Sequence, residues 1–187
     1  MKIFNALKKR NYEMYLKIFP KIYFSKNTSS LLDKKVFRKK NRIETLFYKT
    51  CYHLLVLFGI GYFPKIPGTF SSLFAILSWR VMSFFCSDKT ISLISLVYIL
   101  LGFFICYIMR CEDYNCIVLD EFSGMFLITS SFEEPNIKKI VESFFAFRVL
   151  DIIKPFPINL LEKKIKDGVG IMMDDLLIAL SIILYFR

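Results

Sequence analysis

The residues best equipped for chemistry in this chain are carboxylates set inside apolar sequence. Asp120 and Glu121 stand within CIVLDEFSGMFLI, Asp174 and Asp175 within GIMMDDLLIALSIILYF, and Asp151 within AFRVLDIIKPFP. A carboxylate taken out of water alone costs several kcal/mol, so such groups need a partner or take up a proton. The natural partner for several convergent carboxylates is a hard divalent cation with oxygen ligands. Mg2+ fits, using one or a few carboxylates together with waters and a substrate phosphate. Asp120 and Gly124 are i, i+4, which puts a small residue on the carboxylate's face and leaves room for a neighbouring helix or a ligand. Asp113 precedes Asp120 by seven residues and shares that face if the helix extends back. One member of each acidic pair could instead face water. Arg148, Asp151 and Lys154 recur every third residue, a spacing equally suited to an ion-pair ladder.

Two glycine-containing turns add phosphate-binding potential. In Pro67–Ser72, Gly68 precedes Thr69, which is expected to cap an apolar helix and leave backbone N–H groups facing an anion. The stretch 167–171, Asp-Gly-Val-Gly-Ile, is expected to turn into the helix bearing Asp174 and Asp175. A plain cap and a plain tight turn are the alternatives. His53 is the only histidine, which excludes a mechanism needing a histidine nucleophile and a histidine acid. No DxDxT, CxxxxxR or GxxxxGK loop occurs, and the five cysteines show no CxxC spacing. The nucleophile is therefore expected to be water, activated by a metal or a carboxylate.

The elements that must position these groups read as helices. Residues 90–109 carry no charge over 20 positions, about 30 Å of helix and the thickness of a bilayer core. Residues 69–86 are nearly as apolar but include Arg80 beside Trp79, and 51–63 form a shorter run interrupted by Gly59 and Gly61. Residues 117–132 and 137–154 read as amphipathic, the latter ending before Pro155. Residues 158–166 suit a short polar helix, and 171–186 are apolar except for the acidic pair. No long alternating β-branched run and no internal repeat appears. The expected fold is all-α, a compact helical bundle partly embedded in membrane.

Composition agrees. Hydrophobic residues are 55% of the 187 and aromatics 17%, which excludes a disordered chain, and five cysteines are too few for a disulfide scaffold. The net charge of +10 is unevenly placed: residues 1–49 hold 14 basic and three acidic groups, and the rest holds 12 basic and 13 acidic. The chain thus divides into a basic N-terminal arm, 1–45, and a helical domain, 46–187. Nucleic acid or anionic membrane lipid could attract such an arm. The very apolar body favours the membrane surface over nucleic acid, with the arm on the cytoplasmic side. Residues 1–16 do not read as a secretory signal.

Four segments resemble the phosphatidylglycerophosphatase A family of bacterial membrane phosphatases. They are HLLVLFGIGYFPKIPGTFSSLFAILSW (53–79), IVLDEFSGM (117–125), FRVLDIIKPFPI (147–158) and DGVGIMMDDLL (167–177), in the family's order. The resemblance implies Mg2+-dependent removal of the terminal phosphate from phosphatidylglycerophosphate, giving phosphatidylglycerol, by a multi-pass protein of the bacterial inner membrane. By position it implies an acidic metal-binding set of Asp113, Asp120, Glu121, Asp151, Asp174 and Asp175. The phosphate-side groups it implies are Gly68, Thr69, Arg148 and Lys154. Ser71 stands where PGTxGS usually has glycine, Asp167 replaces the first glycine of GGxGIM, and Ile178-Ala179 replace a usual Ala-Gly.

On this basis one or two Mg2+ ions are expected between the 120/121 and 174/175 pairs, activating a water. Asp120, Glu121 or Asp175 would take its proton, and Arg148 or Lys154 would offset charge on the phosphoryl group. The rivals are a non-catalytic membrane adaptor, a cation transporter using intramembrane carboxylates, and another lipid phosphomonoesterase or phosphotransferase.

Overall fold

A computed structural model describes residues 42–63, 66–109, 116–132, 136–156, 158 and 168–186. Residues 1–41, which make up nearly all of the basic arm, lie outside the described residues, as does the short helix expected over 158–166 apart from Ile158. The described elements are all helical. They are α1 (Arg42–Leu55), a 3-10 helix (Leu57–Tyr62), α2 (Pro67–Met82), α3 (Asp88–Met109), α4 (Leu119–Ser130), α5 (Ile137–Ile153) and α6 (Gly168–Phe186). This is the expected all-α bundle. Helix α1 starts at Arg42 and so runs across the boundary drawn between arm and domain.

The bundle is organised around the shortest of the described α-helices, α4. Helices α2, α3, α5 and α6 all pack on α4. Amphipathicity was expected here, and α4 instead is buried around most of its circumference, including Leu119, Phe122, Met125, Phe126 and Ile128. The physical reason lies in its composition. A helix apolar all round has no face to give to solvent and belongs in the middle of a fold. The Tyr98 ring of α3 meets both Phe122 and Phe126 edge-on, at 5.2 and 5.4 Å between centroids. Helix α5 departs from the amphipathic expectation differently. It exposes Val141, Phe145, Val149 and Ile152.

Helix boundaries follow local chemistry. Asn136 caps α5 by accepting a hydrogen bond from the Lys139 backbone N–H at 2.7 Å. Lys154 ends α5 in the left-handed region (φ 43°), directly ahead of Pro155. Thr69 is not the cap of α2. Proline at the first helical position, with its φ already fixed, starts α2 at Pro67, and no side chain caps it. The glycine turn expected before α6 is also absent, because Gly168 and Gly170 already belong to the helix. Packing of the apolar sequence that follows outweighs the roughly 1 kcal/mol per glycine that helical glycines cost.

Among the described residues, two helices are long and apolar enough to cross a membrane: α3 over Asp88–Ile108 and α6 over Val169–Phe186. Helix α3 exposes Leu93, Leu96, Val97, Leu100, Phe104 and Tyr107 along one side. That contiguous apolar stripe suits lipid rather than water. Helix α2, 16 residues long, reaches only about 24 Å and falls short of a bilayer core.

Candidate functional site

The starts of α2, α4 and α6 and the end of α5 meet at one end of the bundle. The first turn of α4 is fixed from two sides. The Val118 N–H donates to the Leu55 carbonyl at 3.0 Å, and the Ser71 hydroxyl donates to the Val118 carbonyl at 2.6 Å. One turn further along, Gly124 lets α5 and α6 close in. A Cβ there would lie 3.0 Å from the Phe147 ring and 3.3 Å from the Asp175 carbonyl oxygen. Gly124 thus makes room for neighbouring helices, one of the two uses its spacing allowed.

This packing brings carboxylates from two helices together. Asp120, Glu121 and Asp175 offer oxygens that all lie within 4.8 Å of one another. Asp120 and Asp175 are buried, and the side chain of Glu121 is 17% exposed. Asp120 Oδ1, Glu121 Oε2 and Asp175 Oδ2 are buried with no hydrogen-bond partner. Burial pushes the Asp120 carboxyl up to about 6, against the opposing effect of hydrogen bonds from Glu121. Glu121 is held well above the usual carboxylate range by burial first, then by the charges of Asp120 and Asp175.

Basic groups ring this cluster. Arg148 Nη1 lies 3.1 Å from Asp151 Oδ2 and 4.0 Å from Glu121 Oε1. Its Nε and Nη1 are buried without a hydrogen bond, so the guanidinium has donors left to offer. Lys154 Nζ donates to Asp174 Oδ2 at 3.3 Å. Gly68, in the first turn of α2, lies so close to Glu121 Oε1 that an added Cβ would collide with it, and Arg148 Nη1 would be 3.1 Å away. Thr69 follows in the same turn, where helix N–H groups lack intrahelical partners.

Of the six acids expected around a metal, three converge. Asp151 and Asp174 lie outside the three in ion pairs, and Asp113 lies outside the described residues. The Arg148–Asp151 pair fits the ladder spacing. Lys154 leaves the ladder because its left-handed backbone carries it across to α6. That cross-link was not legible in the i, i+3 pattern; Pro155 was the signal that helical spacing stops there. The clamp from Ser71 was also missed. His53 is exposed in the last turn of α1.

Three hard oxygen donors with unpaired buried lone pairs are the donor set a small divalent cation takes. A family model described as Phosphatidylglycerophosphatase A matches residues 53–187. The chain belongs to the phosphatidylglycerophosphatase A family. The phosphatidylglycerophosphatase A of Escherichia coli (strain K12) is 35% identical over 142 residues, which cover 72% of this chain and 82% of the relative. That of Haemophilus influenzae is 34% identical over 133 residues, 68% of this chain and 82% of the relative. No solved structure gives a significant match.

In this phosphatidylglycerophosphatase A homologue Ser71 ties the Val118 carbonyl to α2 through a fully buried hydroxyl, beside the Phe122 N–H that donates to the same carbonyl. The Ile178-Ala179 departure is absorbed without exposure, since both residues are completely buried.

Proposed function

We propose that this protein is a phosphoric monoester hydrolase that removes the terminal phosphate of phosphatidylglycerophosphate with Mg2+ held by Asp120, Glu121 and Asp175. The observation that carries the reading is the convergence of three carboxylates within 4.8 Å of one another, each with a buried oxygen that has no hydrogen bond, beside a guanidinium with unspent donors. The family and its two named relatives support the substrate.

When bound, Mg2+ supplies positive charge to the phosphate and lowers the pKa of a water at the site. The chain's own groups do the rest. One of Asp120, Glu121 and Asp175 accepts the proton that the attacking water gives up. Arg148 donates to a nonbridging oxygen of the phosphoryl group and offsets the charge that grows there. Asp151 holds that guanidinium in place at 3.1 Å. Lys154, fixed on Asp174, adds a second cation at the rim. Gly68 and Thr69 present backbone N–H groups on the phosphate side. Helices α3 and α6 cross the membrane, and the site lies at headgroup depth on the cytoplasmic face, where the basic arm meets anionic lipid. Release of phosphatidylglycerol places the reaction in phospholipid biosynthesis.

The test is phosphate release by purified protein in detergent, with Mg2+ or with chelator, comparing phosphatidylglycerophosphate with phosphatidic acid. Turnover is expected only with Mg2+ and preferentially on the first substrate. Asp175→Asn is expected to lower kcat by about a hundredfold or more. Wild-type turnover in that variant, or in chelator, sinks the mechanism.

A further inference from the structure

Helices α2 and α5 run antiparallel on α4 and leave a groove of about 600 Å3 between them. Leu73, Ile76 and Trp79 line one wall, Ile140, Val141 and Phe144 the other, and Arg80 stands at the far end. The near end lies about a turn along each helix from the residues that border the acidic cluster. On α5, Phe144 comes one turn before Arg148. On α2, Leu73 comes little more than a turn after Gly68, which itself abuts Glu121 and Arg148. From Leu73 to Arg80 the groove runs about 10 Å along α2, away from the cluster.

We infer that this groove takes the headgroup-proximal part of one acyl chain of the lipid substrate and so sets the phosphate in register over Asp120, Glu121 and Asp175. The inference rests on the lipid phosphatase reading above. A diacyl substrate whose phosphate sits at the cluster must direct its chains from that end of the bundle, and the groove begins about a turn from it and is apolar along its walls. The exposed stripe on α3 is the ridge of a single helix and suits bulk lipid. The groove is a concave track between two helices that also carry Gly68 and Arg148. Moving a chain from bilayer into it yields little hydrophobic gain, because lipid tails are as apolar as the walls. What the groove contributes is orientation, and a small misplacement at a reacting centre is costly in rate.

The chain's only tryptophan, Trp79, lines this groove and is 5% exposed. A non-hydrolysable phosphonate analogue of the diacyl substrate, brominated on one acyl chain, is expected to quench its fluorescence saturably in detergent micelles. Leu73→Phe/Val141→Phe, which fills the groove, is expected to abolish that quenching. It is also expected to lower kcat/KM for phosphatidylglycerophosphate by about tenfold relative to its deacylated counterpart. Leu73→Phe alone serves if the double variant does not fold. An active enzyme whose ratio of the two kcat/KM values is unchanged by the substitutions overturns the groove assignment. So does a change from dimer to monomer with that ratio unchanged, which would make the groove an interface between copies. Wild-type protein that releases phosphate from neither compound overturns the phosphatase reading itself.

Discussion

The two ends of the central helix treat their polar groups in opposite ways. At the C-terminal end of α4, hydroxyls bond back to their own helix: Thr129 to the Met125 carbonyl at 3.1 Å, Ser130 to Leu127 at 3.0 Å and Ser131 to Leu127 at 2.7 Å. Beyond them Phe132 meets the Phe186 ring of α6 edge-on at 6.2 Å and carries the Lys139 ammonium over its face at 4.4 Å. At the N-terminal end, Asp120, Glu121 and Asp175 each bury an oxygen without a hydrogen bond. Buried polar groups are ordinarily paired, and those left unpaired cost stability. One end is therefore a finished piece of structure, and the other is assembled by helix packing for something that arrives from outside.

This contrast can be broken most severely at Gly68. Gly68→Ala places a methyl group against Glu121 Oε1 and beside Arg148. It is expected to reduce phosphate release by about a hundredfold, the scale of a 1 Å misplacement, while circular dichroism stays helical. Near-normal turnover would mean that the first turn of α2 does not bear on the carboxylates.

The second prediction concerns pH. A carboxyl held at about 6 when folded, against 3.8 ordinarily, binds more protons folded than unfolded. Stability of the metal-free protein is therefore expected to be lost as pH rises through that window and regained as pH falls through it. Mg2+ competes with those protons, so its stabilising shift in melting temperature should be larger at about pH 7.5 than at about pH 5. A metal-free melting temperature that falls on acidification from about pH 7 to 5 would count against unpaired carboxylates as the dominant groups.

Smaller effects should follow the same division. Ser71→Ala removes the 2.6 Å bond to the buried Val118 carbonyl and is expected to cost about 1–2 kcal/mol in denaturant unfolding. Activity should fall with it, because the clamp sits at the root of the site. Ser131→Ala, at the finished end, is expected to change stability by less than about 0.5 kcal/mol and turnover not at all. Equal effects from the two substitutions would erase the distinction between the ends.

Much of this architecture was legible in the sequence where local chemistry decides it. Pro155 marked the end of α5, the uncharged run over 90–109 marked α3, and carboxylates in apolar sequence marked the site region. Legibility failed where a neighbour decides. Nothing local tells an apolar helix carrying Asp120 and Glu121 that four helices will surround it, which is why α4 read as amphipathic. Thr69 looked like a cap because hydroxyl residues usually are, yet Pro67 had already begun the helix. Lys154 looked like the partner of Asp151 because helical spacing was extended one residue too far. The meeting of Asp175 with Asp120 depends on the close approach at Gly124, a contact between residues 51 apart in sequence.

The adjacency of Asp174 and Asp175 has a mechanical consequence. Neighbouring side chains leave a helix about 100° apart, and here one reaches the carboxylate cluster while the other grips Lys154 at 3.3 Å. A single rotation of α6 about its own axis would therefore release the lysine and withdraw a carboxylate from the cluster in the same stroke. Assembly of the carboxylate cluster and anchorage of α5 become one cooperative event, governed by the azimuth of one apolar rod.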